Sequence, residues 1–333
     1  MSSAKGPVCV TGAGGFLGSW VVHLLLSKNY LVRGTVRDPL DGKYAHLKQL
    51  PNASSNLELV KADLLDYPSL VSAIQGCSGV FHVASPVPSS SVPNPQASSL
   101  FLPFLLLGSS VDLIEPAVTG TLNVLKACNE TKVKRAVVVS SGAALIMNPS
   151  WTDSQVIDES CWSDAEHCRA TENWYCASKT EAESKALEYG KAAGLDVVTV
   201  CPNLILGPIL QSTVNASTLL LVKLLKEGKD MVDNRHFLVV DVRDVAEALV
   251  LAYEKPDAQG RYICSSHSVH VKDIVDMLKE KYPNYNYPKN FTEVHQKKEM
   301  SSDKLQKLGW RYRSLQETLV DAVESYKKAG LLD

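Results

Sequence analysis

The sequence predicts an α/β fold, a doubly wound parallel sheet with a smaller mixed α/β lobe attached, and three observations carry that expectation. In the first half, short β-branched runs alternate with amphipathic stretches, the pattern of parallel strands joined by crossover helices. The runs are almost uninterruptedly apolar, as strands covered on both faces must be. The first of them, VCVT at 8–11, passes directly into the glycine-rich TGAGGFLG, with a helical pattern behind it. A chain of 333 residues, 45% apolar and 21% charged, has ample material for the core such a fold needs.

Element by element, SWVVHLLLSK (19–28) reads as the first helix and YLVRGTV, ending at Val36, as the second strand. LELVKA leads to Asp63 as the third strand, GVFHVA ends at Ala84 as the fourth, and RAVVVS ends at Ser140 as the fifth, with a helix over 118–129 between the last two. DVVTV (196–200) is a sixth strand. Beyond Pro202 the pattern loosens into helices at 217–226 and 242–253 with short extended pieces such as RYIC (261–264), which is assigned to the second lobe. Residues 1–201 are therefore expected to form the first domain and 202–333 mainly the second, the two interwoven because no low-complexity linker parts them. One stretch fits neither. The apolar LFLPFLLL at 100–107, broken by Pro103, is too short for the ~30 Å of a bilayer core and reads as a loop, or as a lid over a substrate pocket.

Composition narrows the function classes. A net charge of -2 with interspersed signs supplies no basic field for nucleic acid and no polybasic segment for a membrane surface, so small molecules are the expected partners of a monomer or homodimer. The opening MSSAKGPVCVTG leaves no room for a signal peptide ahead of the first strand, which predicts a cytoplasmic protein. The 8 cysteines contain no C-x-x-C pair, so neither a metal site nor a secreted disulfide framework is expected. Cys168 and Cys176 alone stand out, because Cys176 adjoins Tyr175.

The stretch Gly12, Ala13, Gly14, Gly15, Phe16, Leu17, Gly18 has the grammar of a dinucleotide loop. Gly12 permits the tight turn, Gly15 lets the backbone approach a pyrophosphate, and Gly18 lets helix and strand pack closely. The helix N-terminus then offers free N–H groups to the phosphates. Together with the parallel sheet this makes a Rossmann-type domain. The end of the second strand selects the dinucleotide. An acidic residue there would bind a ribose 2'-hydroxyl and repel a 2'-phosphate, whereas TVRDP presents Arg37, with Lys43 shortly after, so NADP(H) is the expected cofactor. Asp38 argues the other way, unless Pro39 turns it aside or it pairs with Arg37.

The fifth strand ends in VVVSSG, and Ser140 and Ser141 fall at the carboxyl edge of the sheet, where open α/β folds bind ligands. NWYCASK places Tyr175 and Lys179 four apart, one above the other on a helix face. A lysine cation beside a phenol favours the phenolate and makes tyrosine a usable acid-base group, while the same lysine can bond a nicotinamide ribose. Tyr175 and Lys179 are thus both catalytic and cofactor-binding candidates, and Ser141 is preferred over Ser140 as the hydroxyl that polarises a carbonyl.

VCVTGAGGFLGSW, GTVRDP, NWYCASK, NASTLLLVKLLKEG and VDVRDVAEAL closely resemble the plant cinnamoyl-CoA reductase and dihydroflavonol reductase group of extended short-chain dehydrogenases/reductases, over nearly the whole chain. The resemblance implies that Ser141, Tyr175 and Lys179 are catalytic and that Arg37 and Lys43 bind the 2'-phosphate. It puts Asp63 and Leu64 by the adenine, Val83, Ala84 and Ser85 along the cofactor, and Pro202, Asn203, Leu204, Ile205 and Ser217 near the nicotinamide. A cysteine pair at the positions of Cys168 and Cys176 recurs in that group, implying a redox-sensitive bond. Three departures bear on the substrate. The motif has Ala177 and Ser178 where the group has Tyr and Gly. Leu220 and Val271 stand where the group has a His and an Arg for the CoA moiety, with only Lys223 kept. The 96–110 stretch looks inserted. The expected substrate is therefore a phenylpropanoid, a hydroxycinnamaldehyde ahead of a hydroxycinnamoyl-CoA thioester, in the manner of the divergent cinnamyl-alcohol-dehydrogenase-like branch that serves lignin-type chemistry. A nucleotide-sugar epimerase or dehydratase, or a non-catalytic NADPH sensor, are the remaining alternatives.

Overall fold

A computed structural model of the chain describes residues 5–85, 110–152, 155–293 and 299–333, with side chains from 114 onward in the second segment. The strands are β1 (Lys5–Thr11), β2 (Tyr30–Val36), β3 (Leu57–Lys61), β4 (Gly79–His82), β5 (Arg135–Val139), β6 (Val156–Ile157), β7 (Asp196–Pro202), β8 (Leu204–Leu206), β9 (Met231–Asp233), β10 (His236–Asp241), β11 (Gly260–Cys264), β12 (His267–His270), β13 (Asn290–Thr292) and β14 (Glu299–Met300). Seven of them form one sheet in the order β11-β7-β5-β4-β1-β2-β3, and every pairing in it is parallel. The chain starts at β1, builds outward through β2 and β3, then returns to the other side of β1 at β4. That reversal opens a crevice beyond the carboxyl ends of β1 and β4, the position where such sheets hold ligands.

The sheet is covered on both faces. Against one face, the helix Phe16–Ser27 presents Leu17, Val21, Val22 and Leu25, and the helix Val242–Glu254 presents Val245, Ala246, Ala248 and Leu249, into a single core. Against the other, Leu70 and Ile74 of Tyr67–Ile74 meet Val124, Leu125 and Cys128 of Ser110–Glu130 and Ala186 of Trp174–Ala193. A second core gathers the helices Ala216–Lys226, Val271–Lys281 and Leu315–Lys328 around the three-stranded sheet β12-β10-β8.

Most expected elements are found, with differences that have physical causes. The first helix begins at Phe16, two residues before Gly18, because Gly15 serves as its N-cap. The helix expected over 118–129 starts at Ser110 and carries Pro116 inside it. Pro116 is the seventh residue of the helix, past the first four N–H groups that lack an intrahelical acceptor, so the helix forgoes one i→i−4 hydrogen bond there. RYIC, assigned from sequence to the second lobe, pairs with β7 as the outermost strand of the large sheet, and the helix Val242–Glu254 packs on that same sheet. Neither association is written in local pattern, because each depends on β7, about 40 residues away or more. The apolar stretch 100–107, its surrounding 96–110 segment and the lid expectation lie outside the described residues. Among the described residues no helix is long and apolar enough to cross a membrane.

A tight backbone constraint lies at the start of the first helix. A Cβ on Gly18 would collide with the Gly12 carbonyl, whereas one on Gly42 would meet nothing within 4 Å. Gly18→Ala should therefore lower unfolding free energy by about 1–3 kcal/mol, the cost of an overpacked site, while Gly42→Ala leaves it nearly unchanged. Denaturant unfolding of the cofactor-free protein checks this, and equal midpoints for the two variants would contradict it.

Candidate functional site

At the crevice, Thr11 closes β1 and ties it to β4. Its Oγ1 accepts from the backbone N–H groups of Val83 and Ala84, each at 3.1 Å, and contacts His82 Nδ1 at 2.9 Å. Gly12 follows at φ +67°, a left-handed turn, with Ala84 so close that an added Cβ would lie 2.9 Å from its Cα. Ala13 is buried and its N–H bonds the Thr35 carbonyl, while Gly14 lies under the Tyr44 ring. Gly15 caps the helix with no side-chain bond to the first-turn N–H groups, which leaves those of Phe16, Leu17 and Gly18 without a side-chain partner at the positive end of the dipole. A Cβ on Gly15 would find only the Gly12 carbonyl, at 3.4 Å. This open, donor-lined cradle fits a pyrophosphate.

At the end of β2, Arg37 is exposed and has no ion-pair partner among the described residues. Asp38 does not pair with it, for its carboxylate accepts from the Leu40 N–H at 3.0 Å, so the turn at Pro39 does direct it elsewhere. The cation Lys43 has a partner that sequence reading passed over. Asp41 caps its backbone N–H at 3.0 Å and holds its ammonium at 2.5 Å. A D-G-K triplet, carboxylate and ammonium two apart around a glycine, is the signal that marks this turn. Arg37 and Lys43 are thus two exposed cations within seven residues of the end of β2, the second of them paired with Asp41. Asp63 and Leu64 follow β3, at the far edge of the sheet. The Asp63 carboxylate accepts from Leu65 N–H at 2.9 Å, and the Leu64 carbonyl accepts from Asn123 at 2.9 Å.

The sheet and the helix Trp174–Ala193 bring the remaining candidates together. Asn173 caps that helix through the Cys176 N–H. Tyr175 in its first turn points its hydroxyl to Ser141 Oγ at 3.5 Å, and Lys179 one turn on reaches Ser85 Oγ at 3.0 Å, its ammonium 5.9 Å from the Tyr175 ring centre. Ser140 is turned the other way, donating to buried Glu183 at 2.7 Å, so Ser141 is the serine that faces the tyrosine. Beside them, Gly142 N–H bonds the Pro202 carbonyl at 2.8 Å and packs against the Asn203 amide, and Leu204 and Ile205 continue into β8 against Val239 and Val240. Ser217 is buried at the start of its helix, where Asn215 donates to it at 2.8 Å.

The electrostatics are set by burial. Loss of hydration pushes Lys179 down to about 8, the Glu183 carboxylate opposing that shift. Tyr175 is raised, first by burial, against a lowering hydrogen bond from Ser141. Sequence reasoning expected the lysine to favour the phenolate; in this structure desolvation dominates and keeps the hydroxyl protonated. His82, also unread in the sequence, is fully buried between Thr11 and Thr121 and falls to about 3 through desolvation and the nearby Lys179 charge, so it is neutral. Glu183 could have been found from spacing, since Tyr175, Lys179 and Glu183 repeat every four residues along one helix face. Cys168 and Cys176 are both buried thiols, and the hydrogen bond with Cys176 lowers Cys168.

Because the folded chain releases the Lys179 proton near pH 8 and the unfolded chain only near 10.5, stability rises with pH between those values. Below pH 8 both states are charged and the folded state bears the full desolvation cost. Lys179→Met should therefore be more stable than the parent at pH 7, by a margin that shrinks towards pH 10. Thermal unfolding at the two pH values measures it, and a pH-independent difference would count against a desolvated lysine.

The 3-beta hydroxysteroid dehydrogenase/isomerase family model matches residues 9–304. Among curated proteins the chain is 43% identical to cinnamoyl-CoA reductase 1 of Petunia hybrida, covering 100% of this chain and 96% of that one. Among solved structures it is similar to vestitone reductase from alfalfa, with a TM-score of 0.80, 33% identity, and coverage of 98% of this chain and 100% of that one. The yeast methylglyoxal/isovaleraldehyde reductase complexed with NADPH also has a TM-score of 0.80, at 25% identity, over 98% of this chain and 100% of that one. With a seven-stranded parallel sheet, a glycine cradle fit for a pyrophosphate and these full-length likenesses, the chain is an NADPH-dependent oxidoreductase of the extended short-chain class and belongs to the 3-beta hydroxysteroid dehydrogenase/isomerase family.

Proposed function

We propose that this oxidoreductase reduces the carbonyl of a hydroxycinnamaldehyde to the cinnamyl alcohol, reversibly, with Ser141, Tyr175 and Lys179 as its catalytic residues. The observation that carries the chemistry is their convergence at the crevice: the Tyr175 hydroxyl 3.5 Å from Ser141 Oγ, with Lys179 beneath the same ring. The loop from Gly12 to Gly18 would hold the pyrophosphate of NADP(H), Arg37 and Lys43 its 2'-phosphate, Asp63 and Leu64 the adenine end, and Val83, Ala84, Ser85, Lys179, Pro202 to Ile205 and Ser217 the rest. Bound there, NADPH supplies hydride to the carbonyl carbon. Tyr175, kept protonated by burial, gives its proton to the carbonyl oxygen. Ser141 donates to that same oxygen as negative charge develops on it. Lys179, steadied by Ser85, stabilises the phenolate left behind.

The substrate assignment rests on two side chains. Leu220 and Val271 are buried in the second core, and the retained Lys223 has the Glu227 carboxylate 4.0 Å from its ammonium. At positions 220 and 271 a CoA phosphate would find apolar side chains in place of cations, which favours a small aldehyde. A second reading, reduction of the hydroxycinnamoyl-CoA thioester, is favoured by the 43% identity to cinnamoyl-CoA reductase 1 of Petunia hybrida.

NADPH oxidation followed in parallel with coniferaldehyde, feruloyl-CoA and a dihydroflavonol should be fastest with coniferaldehyde; turnover of feruloyl-CoA alone would replace this reading with the second. Arg37→Ala should raise KM for NADPH roughly tenfold more than KM for NADH, the loss of a charge-assisted contact worth about 1.5 kcal/mol. Equal effects on the two would remove the 2'-phosphate assignment. In the reductive direction kcat/KM should fall as pH rises through about 8, where Lys179 loses its proton.

A further inference from the structure

The turn that carries Lys43 has to be held at a set distance from the phosphate cradle if one dinucleotide is to engage both. His46 makes that connection. Half-buried, it puts Nδ1 3.0 Å from the Lys43 carbonyl oxygen and Nε2 2.9 Å from the Oγ of Ser19. Ser19 is fully buried on the first helix, and its Oγ lies 2.7 Å from the Gly15 carbonyl. A carbonyl only accepts, so Nδ1 bears the hydrogen that bonds Lys43, and burial, which lowers the His46 pKa, favours the neutral ring. Nε2 is then an acceptor that shares the single proton of the Ser19 hydroxyl with the Gly15 carbonyl. One imidazole therefore ties the backbone of Lys43 to the residue that packs under Gly15, the glycine nearest the cradle.

We propose that His46 is a positioning residue for NADP(H): by fixing the 42–44 turn to the dinucleotide helix, it sets the spacing between the pyrophosphate cradle and the cations of the 2'-phosphate, and so contributes to the preference for NADPH over NADH. The inference rests on the assignment of Arg37 and Lys43 to the 2'-phosphate. An NAD(H) molecule has no phosphate at that point and gains nothing from the tie. A role confined to stability would instead alter folding while leaving the two cofactors equally affected.

Calorimetric titration with NADP+ and with NAD+, together with thermal unfolding, tests this on the parent, His46→Leu, His46→Asn, Ser19→Ala and Arg37→Ala. His46→Leu should weaken NADP+ about fivefold, the worth of one neutral hydrogen bond of ~1 kcal/mol, and NAD+ less than twofold. His46→Asn, whose amide still donates towards the Lys43 carbonyl, should recover most of the loss. Ser19→Ala cuts the same tie from the helix side and should reproduce the selective loss, so a His46→Leu chain that fails to fold leaves the question decidable. Parallel weakening of both dinucleotides, or no change in either while Arg37→Ala selectively weakens NADP+, overturns the positioning role and leaves the 2'-phosphate site standing. Arg37→Ala without selectivity removes the site and the inference together.

Discussion

The arrangement at the crevice depends on one buried ion pair, Glu183 with Arg261. The Glu183 carboxylate is fully enclosed and receives hydrogen bonds from Arg261 Nε at 2.9 Å, Thr199 at 2.6 Å and Ser140 at 2.7 Å. Glu183 belongs to the helix bearing Tyr175 and Lys179, Ser140 follows β5, Thr199 lies in β7 and Arg261 in β11. A single carboxylate thus references that helix to three neighbouring strands. Arg261 extends the lock by bonding the carbonyls of Glu159 and Cys161 and by stacking 3.5 Å from the Trp162 ring centre. Removing one partner of such a pair strands a buried charge, which costs about 3–5 kcal/mol, so the geometry is held firmly.

From that lock the serine assignment follows. Two adjacent hydroxyls leave β5, and because the chain alternates direction only one can face Glu183. Ser140 does, and Ser141 is thereby aimed at Tyr175. Burial completes the electrostatics on both sides. It holds His82 neutral beneath Lys179, which avoids a second positive charge, and it draws the Lys179 ammonium towards neutrality while Glu183 opposes that shift.

The two largest hydrophobic cores meet over the same region. Phe16, just after the glycine cradle, packs against both cores, and Trp20 one turn on donates to the Pro208 carbonyl at 2.8 Å. The helix that opens at the glycine cradle is therefore also a seam between the two cores. Close packing at Gly18 and the tie through His46 belong to one requirement, that this helix be seated without slack.

The sequence alone determined the parallel sheet, because β-branched runs alternating with 3.6-period stretches have few other solutions, and it determined the cradle, because glycines at 12, 15 and 18 act through local backbone geometry. Tyr175 and Lys179 were legible for the same reason: their spacing is a property of one helix turn. Only tertiary structure decided that Asp38 turns to a backbone N–H, that Asp41 rather than empty solvent neighbours Lys43, and that RYIC closes the large sheet beside β7. It also decided between Ser140 and Ser141 and brought in His82, His46 and Arg261, each of which acts through a partner at least 27 residues distant, Thr11, Ser19 and Glu183 respectively. Local chemistry is written in spacing, whereas the protonation and aim of a side chain are set by what folding brings against it, and desolvation, the largest influence on Lys179 and Tyr175, has no value until the chain is packed.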